Sequence, residues 1–305
     1  MNFLTVVGIF KNESHVIREW VEHYLNEGVD NFVLINNGST DDFQSQIADF
    51  VDNGTVTIIN DDARWAQIEL YNKYFLSLKG KSQWILICDL DEFVYARKGY
   101  KTIPSVLKKL SGNVGVIRLP WKVYGSSGRV EQPSEVIPSF LSRAKQDGGR
   151  KPWMADDRNT LSKILVRPEF IRAFHIHFCF LNGRYHIFGP DMKELSYPEI
   201  EEERSFQPID ERLLRNSYLH LNHYPLQSRN WFLDVKSQRG AADTEAYDQL
   251  RDTSYFEKYD LASSDVRDNE LSRKKYGWGA DLFLWCIRFV DHVKLRLENY
   301  QANKT

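Results

Sequence analysis

Strand-length apolar segments at residues 3–10, 31–35, 55–59 and 84–88 alternate with amphipathic stretches along the start of the chain. Runs of this length, bounded by turn residues, read as buried strands. Ser14 is placed to cap a helix whose Val16, Trp20, Val21, Tyr24 and Leu25 share one face, and Gly28 stops it. The turn Asn36-Asn37-Gly38-Ser39-Thr40-Asp41 can cap the next helix, and a third helix is expected over 63–78. Alternating strands and helices with short connections imply right-handed crossovers. The expected fold is therefore α/β, with a Rossmann-like, mainly parallel central sheet and helices on both faces. A further strand is expected at 114–119.

After Pro120 the pattern degrades, although strands are still expected at 161–166, 173–178 and 218–224. Residues 125–158 are rich in Gly, Ser, Pro and charge and read as a long functional loop within one domain. The expected organisation is a single domain over 1–277, with halves 1–120 and 121–277, and a C-terminal helix over 278–305. That helix aligns Leu282, Trp285, Phe289, His292 and Leu295 near one stripe. Docking on its own domain is the favoured reading; Lys294 and Arg296 also make it a candidate peripheral contact with a membrane. Hydrophobic content of 42% indicates a globular chain, and 40 basic against 42 acidic residues give no global field to attract nucleic acid. Cys88, Cys179 and Cys286 are widely separated, which fits reduced thiols in a cytoplasmic protein and no zinc site. No signal peptide or membrane span is expected, because the first apolar run is only one strand long.

The fourth apolar run ends in Asp89-Leu90-Asp91, followed by Glu92-Phe93. Residues i and i+2 of an extended chain point the same way, so both aspartates are expected to face one cation while Leu90 packs behind. Hard carboxylate ligands at a strand end suit Mg²⁺ or Mn²⁺, with phosphate oxygens completing the coordination. The loops after the first, second and fourth strands converge on one sheet edge. They carry Lys11, Asn12 and Glu13, then Asn36 to Asp41, then Asp89 to Glu92. These offer partners for a base, a ribose and a metal-bound diphosphate; taken singly, the asparagines read equally well as ordinary turn residues.

The segments Val6-Val7-Gly8-Ile9-Phe10-Lys11-Asn12-Glu13, Asn36-Asn37-Gly38-Ser39-Thr40-Asp41 and Trp84-Ile85-Leu86-Ile87-Cys88-Asp89-Leu90-Asp91-Glu92-Phe93 resemble glycosyltransferases of the GT-A fold. The likeness is greatest to the family 92-like group related to family 2. Gln67 and Asn72 match its "Q…yN" element, and His223-Tyr224-Pro225-Leu226-Gln227-Ser228 with Phe232, Lys236 and Arg239-Gly240 matches its later motif. Gln227 stands where that group usually has lysine, and residues 121–160 match nothing in it. The resemblance implies a metal-dependent, inverting, hexosyltransferase-like enzyme using Mn²⁺ or Mg²⁺. It would take a sugar from a nucleotide-diphosphate donor, UDP-linked by expectation, to a glycan, lipid-linked glycan or polysaccharide hydroxyl, the second half being an irregular acceptor side.

That resemblance assigns Asn12, Glu13, Asn37, Asp41, Gln67, Asn72 and Asp89 to the nucleotide. Asp89, Asp91 and His223 are the metal candidates, and Lys236 and Arg239, three apart on an expected helix, address the diphosphate. His175 and His177 follow Lys163 and Arg167 and would face one side of a strand, as a third ligand or an acceptor contact. Backbone-bonded histidines are the plainer alternative. An inverting enzyme needs a base, and Asp191, after Gly189-Pro190, is preferred over Glu194 and Asp157. Two rival readings remain open: a catalytically silent nucleotide- or sugar-binding module, and a dehalogenase-type phosphohydrolase. Against the latter, Glu92-Phe93 stand where a small residue pair is usual.

Overall fold

A computed structural model of the protein describes residues 1–146, 161–183, 185–195, 209–240, 245 and 251–277. The strands are β1 (Asn2–Phe10), β2 (Asn31–Asn36), β3 (Val56–Asn60), β4 (Ser82–Ile87), β5 (Glu92–Ala96), β6 (Val114–Val123) and β7 (Ser142–Arg143). They continue as β8 (Ser162–Val166), β9 (Ile171–Phe174), β10 (Cys179–Leu181), β11 (His186–Phe188), β12 (Leu219–His223) and β13 (Val266–Arg267). The helices are α1 (Ile17–Asn26), α2 (Phe43–Asp52), α3 (Gln67–Phe75), α4 (Ile103–Leu107), α5 (Glu211–Asn216), α6 (Arg229–Trp231), α7 (Thr253–Ala262) and α8 (Glu270–Tyr276). A π-helical turn, Phe232–Lys236, continues α6.

Among the described residues the main sheet runs β3-β2-β1-β4-β8-β6-β12-β5, with β11 also on β6. β1 to β4 are mutually parallel, as the alternation of strands and helices predicts. β8 then enters antiparallel between β4 and β6, and β5 closes the far edge antiparallel to β12. Side chains along β1 alternate between two cores. Val6 joins Trp20, Tyr24 and Trp84 on the α1 face, whereas Val7 joins Leu70, Tyr71, Phe75 and Ile87 on the α3 face. Both faces of the sheet are therefore covered, which accounts for strands that read as unbroken apolar runs.

Four local expectations are corrected. Ser14 does not cap α1, which starts behind Val16; its amide donates instead to Asp41 Oδ2 at 2.7 Å. The strand expected at 173–178 is a hairpin of β9 and β10, in which His175 N–H donates to the Phe178 carbonyl at 2.9 Å. Asp89 to Asp91 is a tight turn rather than extended chain, closed by Glu92 N–H on the Asp89 carbonyl at 3.1 Å. Residues 125–146 are packed: Val136, Ile137 and Phe140 are buried in the main core, and Glu19 accepts from the amides of Val136 and Ile137. The rest of the 125–158 loop, Asp157 and the helix expected over 278–305 lie outside the described residues.

The segment from Val266 to Tyr276 is fastened to the main sheet and to β7 by ion pairs, those of Asp268 being buried. Asp268 meets Lys122 at 2.8 Å and Arg143 at 2.7 Å, and Glu270 meets Arg97 at 2.6 Å. No helix among the described residues is long and apolar enough to cross a membrane.

Candidate active site

The acidic turn is placed by a close strand approach. A Cβ on Gly8 of β1 would stand 2.4 Å from the Cys88 carbonyl oxygen, so only glycine lets β4 lie this near. Four groups then hold Asp89. Its amide donates to Glu92 Oε2 at 2.9 Å, its carbonyl accepts from Trp20 Nε1 at 3.0 Å, Tyr71 Oη lies 3.4 Å from Oδ1, and Lys163 Nζ lies 2.7 Å from Oδ2. The register explains Lys163. Leu86 pairs with Leu165 across antiparallel strands, so two residues further on each strand Lys163 comes level with Cys88.

Asp91 belongs to the opposite wall. Lys236 Nζ is 2.6 Å from Oδ2, and His223 Nε2 is 3.6 Å from Oδ1. Glu92 and His223 are direct cross-strand partners on β5 and β12. One donor atom each from Asp91, Glu92 and His223 lies within 4.8 Å of the others, and all three residues are buried. Among the described residues His223 Nδ1 and Glu92 Oε1 are buried without a hydrogen-bond partner. Buried polar atoms are rarely left so, and two carboxylates with an imidazole suit a divalent cation. These residues therefore fit a metal. Asp89, held by Lys163, stands outside this trio.

The electrostatics are tightly balanced. Burial alone would raise the Asp91 carboxyl, but Lys236 and His223 hold it well below the usual carboxylate range. Burial also dominates at Glu92 and pushes it well above its ordinary value, with Asp89 and Asp91 adding to the rise and Lys163 opposing it. Burial lowers His223, partly offset by Asp91, so the imidazole is neutral near pH 7 and able to ligate.

The first two loops are joined beside this centre. Asn12, at φ 54°, accepts from Thr40 N–H at 2.8 Å, and its own amide donates to Ser39 Oγ at 3.0 Å. Asn37 donates to the carbonyls of Asp61 and Ala63. Arg239 Nη1 donates to Glu13 Oε1 and the Lys11 carbonyl, both at 2.6 Å. Lys236 and Arg239 thus bridge the third loop and the first, each engaged by a different carboxylate. Glu13 Oε2, 3.8 Å from His15 Nε2, and Asp41 Oδ1 are buried with no hydrogen-bond partner among the described residues. Gln227, fully buried at φ 51°, accepts from His15 Nε2 at 2.9 Å and Gln132 Nε2 at 2.7 Å.

A family model described as glycosyltransferase family 92 matches residues 5–250. The chain belongs to that family. A family 92 protein of Ricinus communis is 24% identical over 175 residues, covering 56% of this chain and 29% of that one. Another from Oryza sativa subsp. japonica is 22% identical over 189 residues, covering 60% and 31%. The chain therefore spans about a third of the length of these relatives. Among solved structures, S. aureus TarS residues 1–349 in complex with UDP is 12% identical, covers 62% of this chain and 61% of that chain, and has a TM-score of 0.35. Glucosyl-3-phosphoglycerate synthase of Mycobacterium tuberculosis with Mn²⁺ and UDP-glucose is 13% identical, covers 56% and 57%, and has a TM-score of 0.29.

Within this family 92 chain, several residues singled out from sequence stand elsewhere. Asp191 lies in the turn after β11, where the Pro190 carbonyl accepts from Tyr218 N–H at 2.8 Å. Pro190 thus places this turn at the start of β12, about 13 Å of strand from His223 at its end. Glu194 is on the same side, paired with His186. Asn72 is a structural staple: its amide nitrogen donates to the carbonyls of Ile68 and Phe174, and its oxygen accepts from Phe174 N–H. Gln67 donates to Tyr71 Oη at 2.8 Å, and that tyrosine in turn lies 3.4 Å from Asp89 Oδ1. His175 and His177 sit in the β9–β10 turn rather than side by side on a strand, although His177 does reach the site edge, with Nδ1 3.2 Å from the Ser162 carbonyl. Sequence reasoning left Lys163 and Glu92 without a role at the acidic centre. Lys163 is followed in its strand by the apolar run Ile164-Leu165-Val166, the one signal that a buried partner awaits it.

Proposed function

We propose that this chain is a metal-dependent glycosyltransferase that moves a sugar from a nucleotide-diphosphate donor, UDP-linked in the first instance, to a hydroxyl of a glycan acceptor with inversion. The observation that carries this reading is the buried trio Asp91, Glu92 and His223, with donors within 4.8 Å and two of its buried atoms unpartnered. A divalent ion held there would neutralise the donor diphosphate and stabilise it as a leaving group. Lys236 and Arg239 stand where they can turn from Asp91 and Glu13 toward a diphosphate, adding positive charge as the leaving group develops its own. Glu13 and Asp41, each with a buried orphan oxygen, and Asn12 and Asn37 are the partners for base and ribose. Lys163 and Tyr71 orient Asp89. Family membership supports the transferase class. UDP in the TarS complex, and Mn²⁺ with UDP-glucose in the synthase, make UDP and Mn²⁺ the first ligands to try.

The test is calorimetric titration of UDP, GDP, CDP and ADP, with and without Mn²⁺, on wild type and Asp91→Ala. One base binding only with metal, and only to wild type, is the expected result. No metal-dependent binding by any of the four would overturn the reading in favour of a silent module.

A further inference from the structure

A line of aromatic rings runs from the acidic centre to the protein surface. His223 lies against Trp121, with ring centroids 4.1 Å apart, and Trp121 meets His177 edge-on at 5.2 Å. His177 is in the β9–β10 turn, where His175 stacks on Phe178 at 4.2 Å and Phe178 meets Phe180 at 5.2 Å. Exposure rises along the line, from 9% at His223 and 8% at Trp121, through the half-buried turn, to 44% at Phe180, which Arg172 overlies at 5.6 Å. Phe180 is one of few large apolar side chains exposed among the described residues, and the two groups of rings meet where His177 and Phe178 follow one another in the turn. The line crosses from β12 and β6 to the start of β8, where His177 Nδ1 lies 3.2 Å from the Ser162 carbonyl, and the β9–β10 hairpin is itself tied to α3 through Asn72.

We propose that these rings are an extended acceptor subsite that binds an oligosaccharide chain, its terminal hydroxyl beside Asp91 and His223 and its following units along the β9–β10 turn toward Phe180. The proposal rests on the glycosyltransferase reading above and supplies the acceptor class for it. Pyranose rings offer a C–H face that stacks on the electron-rich face of an aromatic ring, while their hydroxyls hydrogen-bond at the edges. The line has both chemistries. Trp121 Nε1, in its deepest part, is a buried donor with no partner among the described residues and would meet a sugar hydroxyl. A monosaccharide spans one or two rings, so a line reaching from the centre to the surface suits a chain of several units.

The test titrates gluco-, galacto- and manno-oligosaccharides of two and six units, without donor, onto wild type, Phe178→Ala and Phe180→Ala. UDP with Mn²⁺ is titrated separately onto the same three proteins. In at least one series the hexasaccharide should bind wild type about three- to tenfold more tightly than the disaccharide. Phe180→Ala, altering an exposed ring, should remove that advantage while leaving the disaccharide and UDP unchanged. Phe178→Ala should weaken both saccharides and leave UDP alone. The proposal is overturned if no series shows length-dependent binding, if nothing binds, or if Phe180→Ala leaves the hexasaccharide unaffected or weakens both lengths equally. Failure of UDP to bind wild type would count against the donor reading, and the saccharide titration would still judge the subsite.

Discussion

Replacing Gly8 by alanine tests how closely β1 and β4 approach beneath the acidic turn. The added Cβ would stand 2.4 Å from the Cys88 carbonyl oxygen and 3.6 Å from its carbon. An ordinary contact begins near 3.4 Å, so the strands must separate by ~1 Å. The oxygen is backbone, and Cys88 N–H is tied to the Val7 carbonyl at 3.0 Å, so no side-chain rotation relieves the clash. Overpacking of this kind costs about 1–3 kcal/mol; the reduced freedom of the unfolded chain returns up to ~1 kcal/mol. The expected net loss is about 2 kcal/mol, or ~0.7 M in urea midpoint at a slope of ~3 kcal/mol/M. Gly112→Ala is the control, since its Cβ meets nothing within 4 Å. Because Cys88 leads directly into Asp89, metal-dependent nucleotide affinity should also fall, by about tenfold for a displaced first contact. Matching urea midpoints for Gly8→Ala and Gly112→Ala would refute the close approach and the placement of Asp89 that follows from it.

Three further outcomes are expected. Asp268→Asn leaves the wholly buried Lys122 without its carboxylate and should cost about 3 kcal/mol in urea unfolding, with Lys122→Met/Asp268→Asn recovering part of the loss; a stable single variant would contradict the pairing. His23 is buried with Nε2 2.8 Å from the Val94 carbonyl, and burial pushes it from 6.5 down to about 3. Its folded value lies below its unfolded one, so its contribution is complete above pH 6.5 and is lost as pH falls toward 3. The loss is about 1.4 kcal/mol per pH unit, and a His23→Gln profile as steep as wild type over that window would be the contrary result. Lys236→Gln removes the cation that occupies Asp91, so calorimetry should find tighter Mn²⁺ binding without nucleotide and roughly tenfold weaker UDP binding with it; unchanged values for both would rule out its double role.

The parallel half of the fold is legible because β1, β2 and β4 are buried on both faces and so read as unbroken apolar runs. The convergence of the first, second and fourth loops follows from that parallel order. What the sequence hides are pairings between distant strands. Glu92 acquires His223 as a neighbour through β5 and β12, and Asp89 acquires Lys163 through β4 and β8. No local pattern records either partnership. Asp89-Leu90-Asp91 misleads because periodicity carries the strand through Cys88, while the hydrogen bond from Glu92 turns the chain within the motif. The turn Gly189-Pro190 before Asp191 is legible as a turn, but only the sheet order tells which end of β12 it lies beside. Residues 125–146 read as loop from their glycines and serines, yet Val136, Ile137 and Phe140 fasten them into the core.

The late arrival of β8 has a consequence for how the protein is made. β4 ends at Ile87 and its neighbour β8 begins at Ser162, so about 75 residues must be synthesised before that edge can be covered. At ribosomal speeds of roughly 5–20 residues per second, the nascent sheet presents an unpaired apolar edge for ~4–15 s. The cluster of Asp91, Glu92 and His223 waits longer still, because His223 is the last of its members to emerge. A chain stopped before residue 162 would hold the loops after β1, β2 and β4 yet keep an open sheet edge, a ready template for aggregation. Chaperone demand during synthesis should therefore peak between the appearance of β4 and that of β8, and a ribosome-stalling series across this window would show it.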